Sequence, residues 1–188
     1  MIRTIRSRID ALLAEKQTVL VAIDGICAAG KTTLAARLQE IYGCEIIHMD
    51  DFFLRPEQRT EDRYAEIGGN VDYERFREEV LLPLQAGISL TYRPFDCKTL
   101  TLKEPVTVIP GTLVIVEGSY SLHPHFGSPY DLTILLTVPE AVQRQRILQR
   151  PAHLHQPFFD RWIPMENRYL AHHRLCKHCD LVFRQSDE

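Results

Sequence analysis

The sequence predicts an α/β fold of three layers, with a central, mostly parallel sheet of five strands between two layers of helices. Two observations predict it. Apolar, β-branched runs alternate with segments of helical periodicity along the whole chain. A glycine-containing turn also joins the first such run directly to a helical segment. The 188 residues suit one compact domain, residues 1–188, with room for an insertion and a lid.

Taken in order, Met1–Lys16 alternates Arg and Asp with Ile and Leu and reads as an amphipathic helix, with no apolar core of a secretory signal. Thr18–Ile23 is an unbroken apolar run, as in a strand buried on both faces. Lys31–Tyr42 carries Leu34, Ala35, Leu38 and Ile41 at helical spacing and is closed by Gly43. Glu45–Met49 is a second strand, ending at Asp50-Asp51. Asp72–Leu84 reads as a helix through Phe76, Val80, Leu81 and Leu84. Between Ile88 and Ile109 lie short β-like pieces interrupted by Pro94, Pro105 and Pro110. Leu113–Val116 is a strand ending at Glu117-Gly118, and Leu132–Val138 is another. Pro139 opens a helix to Arg150. Phe158–Lys177 reads as one long helix and Leu181–Phe183 as a last short strand. Thr60–Pro110 is expected to be an insertion on the substrate side. An Arg-rich lid is expected over residues 144–161, with Pro151–Asp160 as its mobile part.

Composition narrows the function classes. There are 22 Lys and Arg against 25 Asp and Glu, a net charge of −3, which gives no support to a nucleic-acid-coating protein. No apolar run approaches the ~20 residues of a membrane helix. The five cysteines, an odd number in a chain too large to need staples, read as reduced thiols in a cytoplasm.

The strongest motif is Gly25-Ile26-Cys27-Ala28-Ala29-Gly30-Lys31-Thr32, which matches G-x-x-x-x-G-K-[ST] at every fixed position, between a buried strand and a helix. Such a P-loop curls so that backbone N–H groups of Gly25, Cys27, Ala28, Ala29, Gly30, Lys31, Thr32 and Thr33 can face phosphate oxygens, helped by the helix N-terminus. Lys31 would bridge the outer phosphates and the Thr32 hydroxyl would ligate Mg²⁺, so the fold is of P-loop NTPase type with ATP and Mg²⁺ as cofactors. Ala28 and Ala29 stand where many such loops have Gly or Ser. Ala tolerates positive φ poorly, so the loop is expected to avoid it there.

Ligands of open parallel sheets sit beyond the carboxyl ends of the strands. Two further strands end there in acids: His48-Met49-Asp50-Asp51-Phe52-Phe53 and Glu117-Gly118-Ser119-Tyr120. A small-molecule kinase needs a carboxylate to orient the acceptor hydroxyl and take its proton, and an acid near the metal. Asp50 is the candidate for the first role, close enough to count also as a metal ligand, and Glu117 for the second.

The set DGICAAGKTT, MDDFF, YRPFDC and VIVEGSYSLHP, with the Arg-rich tail, resembles the uridine kinase/phosphoribulokinase group of P-loop kinases from about Thr18 to Phe183. The resemblance implies that Asp50, not Asp51, is the base. It implies that Phe52, Tyr92, Arg93, Asp96, Glu117 and Tyr120 line the acceptor side, although Pro94-Phe95-Asp96 matches the group's P-x-[YF]-D element only in part. Arg146 and Arg150, four apart on one helical face, are implied as catalytic lid residues with Asp50 and Lys31. Arg144 is supported less; Arg161 and Arg168 continue the Arg-rich lid segment after a Pro/His-rich break, and the Arg161-Trp162…Glu166…Tyr169 pattern is expected to dock the last helix, with Trp162 and Tyr169 core or site.

His172, His173, Cys176, His178 and Cys179 offer ligands for zinc, but with one C-x-x-C and no second pair a structural metal is disfavoured. His123 and His125, just after the Glu117 strand, are better placed to touch substrate, with a structural loop role as the alternative. The expected activity is Mg²⁺-dependent phosphoryl transfer from ATP to a hydroxyl of a small-molecule acceptor, a nucleoside such as uridine or cytidine first, with sugars and pantothenate-like alcohols open. A regulatory ATPase is the alternative, though the sequence lacks N-K-x-D and L-S-G-G-Q. No nucleic-acid or membrane partner is expected, and a homo-oligomer stays open.

Overall fold

A computed structural model describes residues 1–185. Helix α1 (Ile2–Glu15) leads into β1 (Val19–Gly25), whose seven residues are all buried. Then come α2 (Lys31–Tyr42), β2 (Glu45–His48) and α3 (Glu61–Ala65). Helices α4 (Tyr73–Phe76) and α5 (Leu82–Gln85) are joined by a π-helical turn at Arg77–Leu81. Short strands β3 (Leu90–Tyr92) and β6 (Val106–Val108) pair antiparallel, as do β4 (Phe95–Asp96) and β5 (Thr101–Leu102) between them. The core strands resume with β7 (Leu113–Glu117) and β8 (Leu132–Thr137), followed by α6 (Glu140–Leu148) and α7 (His155–Pro157). A second π-helical turn, Phe158–Trp162, leads into α8 (Ile163–His172), α9 (Leu175–His178) and β9 (Leu181–Arg184).

The main sheet has the order β2-β7-β1-β8-β9, five strands, every pair parallel. Successive side chains of a strand face opposite layers. Val19, Val21 and Ile23 of β1 therefore pack with Ile5, Ile9, Leu34 and Leu38 of α1 and α2. Leu20 packs on the other side, in the core shared by Ile47, Phe52, Phe76, Val80 and Tyr169. Among the described residues no helix is long and apolar enough to cross a membrane.

Three expected helices need correction, the first being the one expected from Pro139 to Arg150, which stops at Leu148. The helix expected over Asp72–Leu84 runs on to Gln85 through a π turn, and the one over Phe158–Lys177 starts with one. Each π turn precedes a proline, Pro83 or Pro164, which has no N–H to return to the preceding turn, so the chain widens upstream of it. The second helix also breaks at Arg174, a non-glycine residue with φ 51°, and restarts at Leu175.

Candidate active site

The parallel register brings three strand ends together. Ile23 lies opposite Glu117, and His48 lies opposite Glu117 on the other side. Asp24, one residue further, is fully buried and takes donated bonds from the N–H groups of Gly25, Tyr120 and Leu122 and the Tyr169 hydroxyl. Burial raises its pKa, while those donors and Lys31 oppose the rise. It ties the P-loop to the segment after β7 and to α8. Two glycines allow this crowding. A Cβ on Gly25 would collide with the Leu136 backbone, and one on Gly118 would lie 2.7 Å from the Met49 Cβ.

Helix α2 opens at Lys31, and its first internal bond is Leu34 N–H to Gly30 O at 3.0 Å. The amides of Lys31, Thr32 and Thr33 thus have no acceptor within the helix and form the anion-attracting end of the loop. Lys31 is 9% exposed, and its ammonium donates to Gly25 O, Ile26 O and the Ser119 hydroxyl at 2.8, 3.0 and 3.1 Å. The Thr32 hydroxyl donates to Glu117 Oε1 at 3.1 Å, and His48 Nδ1 meets the same oxygen at 2.6 Å. That bond raises the His48 pKa above its usual value, against the desolvation that would lower it. A hydroxyl and a carboxylate side by side at the head of an amide-lined loop are the donor set that a Mg²⁺–nucleotide requires, so the residues fit that group.

The middle of the loop is gripped by later helices. Gln143 Nε2 donates to Cys27 O at 3.1 Å, and Arg146 donates to Ala28 O at 3.0 Å, both from α6. Cys27 N–H donates to Glu166 Oε2 of α8 at 2.8 Å. The Ala29 amide is used within the loop, bonded to Ile26 O. Ala28 corrects an expectation: its φ is +62°, so the loop does place an alanine in the left-handed region. The cost of that conformation is of order 1 kcal/mol, and the Gln143 and Arg146 bonds on either side hold it. Arg150 lies beyond the end of α6 and stacks over Phe158 at 4.8 Å, so of the two only Arg146 bonds to the loop among the contacts described. Arg144 instead covers Phe159, Arg161 covers Tyr64, and Arg168 bonds to Ala65 O and Glu66 O.

The two neighbouring aspartates divide their work. Asp51 is tethered: its carboxylate accepts from the Tyr92 hydroxyl at 3.2 Å and its carbonyl from Arg75 at 2.8 Å. The Asp50 carboxylate makes no hydrogen bond or ion pair among the described residues. Solvent reaches it, yet the crowded strand ends still partly desolvate it. This raises its pKa; Glu117 and Glu166 add to the rise, and Lys31 and His48 oppose it. A carboxylate so shifted accepts a proton more readily, as a base should.

The other expected acceptor residues are not all where the sequence suggested. Phe52 is 0% exposed, packed on Phe76 and Tyr92 with ring centroids 5.0 Å from each, so it is a core residue and not a substrate contact. Tyr120, at 1% exposure and φ 73°, is likewise core, against Tyr169. Tyr92 serves Asp51. The Arg93 guanidinium fastens the chain to Lys103 O and Leu102 O. The Asp96 carboxylate is spent on the Lys98 amide in an exposed turn. The residue of that turn that feels Asp50 is Cys97, whose thiol pKa is raised by desolvation and then by the Asp50 charge. His123 is buried and stacked on Tyr73, 4.4 Å between centroids, and desolvation holds its pKa down to about 4. Among the described residues no group of three or more His, Cys, Asp and Glu side chains could hold a metal ion, the His172–Cys179 segment included. Sequence reasoning missed Asp24, His48, Cys97 and Gln143. Only Gln143 had a signal, its i,i+3 spacing to Arg146 on one helical face.

No family model matches the chain, and no curated protein matches it. Solved structures do. A possible uridine kinase from Bacillus stearothermophilus is similar at TM-score 0.69 and 23% identity, over 96% of this chain and 99% of that one. The fold is an α/β P-loop NTPase fold. YFH7 from Saccharomyces cerevisiae, a candidate P-loop-containing kinase with a circular permutation, is similar at TM-score 0.64 and 12% identity over 99% and 98%. Shikimate kinase from Acinetobacter baumannii, solved with shikimate, is similar at TM-score 0.51 and 20% identity over 93% and 88%. At these identities the likeness is one of fold, and the α/β P-loop NTPase fold expected from the sequence is the one found.

Proposed function

We propose that this chain is a Mg²⁺-dependent kinase that transfers the terminal phosphoryl group of ATP to a hydroxyl of a small metabolite, a nucleoside such as uridine or cytidine being the first acceptor to test. The observation that carries the reading is the meeting, at the carboxyl edge of one parallel sheet, of the P-loop, the Thr32–Glu117 pair and an unpaired Asp50. Bound Mg²⁺–ATP supplies the phosphoryl group and a metal charge that steadies it, with Thr32 and Glu117 holding the metal side. The remaining work belongs to the protein. The first-turn amides of α2 and the Lys31 ammonium orient the phosphates. Arg146, bonded to the loop from α6, and Arg150, just beyond the end of that helix, offset negative charge developing there. Asp50 orients the acceptor hydroxyl and takes its proton, and Asp51, held by Tyr92 and Arg75, fixes the turn that presents it.

The five cysteines are all free, which supports a reducing compartment, the cytoplasm. The test is ADP release from Mg²⁺–ATP across a panel of nucleosides, sugars, pantothenate-like alcohols and shikimate. Stimulation by one class names the acceptor. Slow hydrolysis that no alcohol stimulates favours a regulatory ATPase instead.

A further inference from the structure

Glu166 is 5% exposed and reaches the P-loop from α8. Its Oε2 accepts the Cys27 N–H at 2.8 Å and its Oε1 the Ser119 hydroxyl at 2.7 Å, and that hydroxyl receives a bond from the Lys31 ammonium at 3.1 Å. A P-loop amide is a donor suited to phosphate oxygens, and here its acceptor is a carboxylate of the protein. The place along the loop matters. Cys27 lies at the opposite end from the first-turn amides of Lys31, Thr32 and Thr33. Ser119, which links Glu166 to the Lys31 ammonium, follows the β7 end at Glu117, so the carboxylate stands on the side of the strand ends where the acids gather.

Resting on the kinase reading, we propose that Glu166 is a specificity-determining residue that makes the P-loop sense the terminal phosphate. An oxygen of the terminal phosphate and Glu166 Oε2 compete for the Cys27 amide, and two anions repel strongly where little water screens them. A triphosphate must displace Glu166; a diphosphate, held by the amides further along, need not. The same helix carries Arg168, bonded to Ala65 O and Glu66 O, and Tyr169, bonded to Asp24. Displacement of Glu166 therefore reaches α3 on the acceptor side, through contacts that a diphosphate leaves in place.

The test is calorimetric binding of Mg²⁺–ATP and Mg²⁺–ADP to the wild type and to Glu166→Gln, which keeps an acceptor oxygen for Cys27 and loses the charge. The expected result is ATP binding tighter by about tenfold or more, with ADP binding changed by less than about twofold. Equal shifts for both nucleotides, no shift, or weaker ATP binding overturns the proposal. If Glu166→Gln does not fold, Glu166→Ala carries the same comparison with the same expected ratio. A wild type that binds neither nucleotide sinks the kinase reading as well, whereas normal binding with an unchanged ratio sinks only the role of Glu166.

Discussion

Replacing Asp50 by Asn removes a base while leaving the shape of the site. The carboxylate has no hydrogen-bond or ion-pair partner among the described residues and solvent reaches it, so the change strips no contact from the fold. The melting temperature should therefore stay within a degree or so, about the shift of a few tenths of a kcal/mol. Turnover behaves differently. A positioned general base contributes roughly 10²- to 10⁴-fold, about 3–5 kcal/mol of barrier, and that is the expected loss in kcat. Affinity for Mg²⁺–ATP should change little, because the phosphate grip lies on α2 and Lys31. Asp51→Asn is the internal control. It weakens the bond from the Tyr92 hydroxyl, worth about 1 kcal/mol, and should lower stability more than turnover. The assay is coupled ADP release with the acceptor found by the panel, alongside thermal melts. An Asp50→Asn protein with kcat within twofold of wild type would refute the assignment of the base, as would Asp51→Asn carrying the larger loss.

Other outcomes follow from the same contacts. Lys31→Ala should abolish measurable ATP turnover, and Thr32→Val or Glu117→Gln should raise the Mg²⁺ concentration for half-maximal rate by about 10- to 100-fold, read by metal titration. Tyr169→Phe removes one donor from the buried Asp24 carboxylate and should destabilise the protein by about 1–3 kcal/mol in urea unfolding. His123 sets a pH dependence. Its folded pKa of about 4 lies below the ordinary ~6.5, so the native state binds fewer protons. Stability from this group is complete above pH ~6.5 and is lost as pH falls towards 4, by up to about 3 kcal/mol. Urea melts of His123→Phe should show a shallower decline across that window, and identical slopes would contradict the burial of a neutral ring.

Much of the sheet could be read locally. Thr18–Ile23 and Leu132–Val138 consist of apolar residues and threonine, many of them β-branched, and the Lys31–Tyr42 helix has its glycine stop written into the chain. The P-loop was legible because phosphate chemistry restricts residue types at fixed spacing. Features that depend on distant partners were not. Helix α3 shows no apolar stripe; it rests on the Thr60 hydroxyl at its start and on Arg63 bound to Glu74. The break at Arg174 has no glycine or proline to mark it. Phe52 and Tyr120 follow acidic strand ends and so resembled site residues, but the strands turn them into the core. Asp96 looked available until the hairpin turn claimed its carboxylate, and Gln143 and Glu166 gained their meaning only when α6 and α8 met over Cys27.

Tracing the label from ATP carrying a radioactive terminal phosphate addresses phosphoryl transfer most directly. With Mg²⁺ and the stimulating alcohol, the label should appear on the hydroxyl of that alcohol, one per ADP formed, and should vanish from it in Asp50→Asn. Label recovered only as inorganic phosphate, or transfer that persists in Lys31→Ala, would contradict the kinase account.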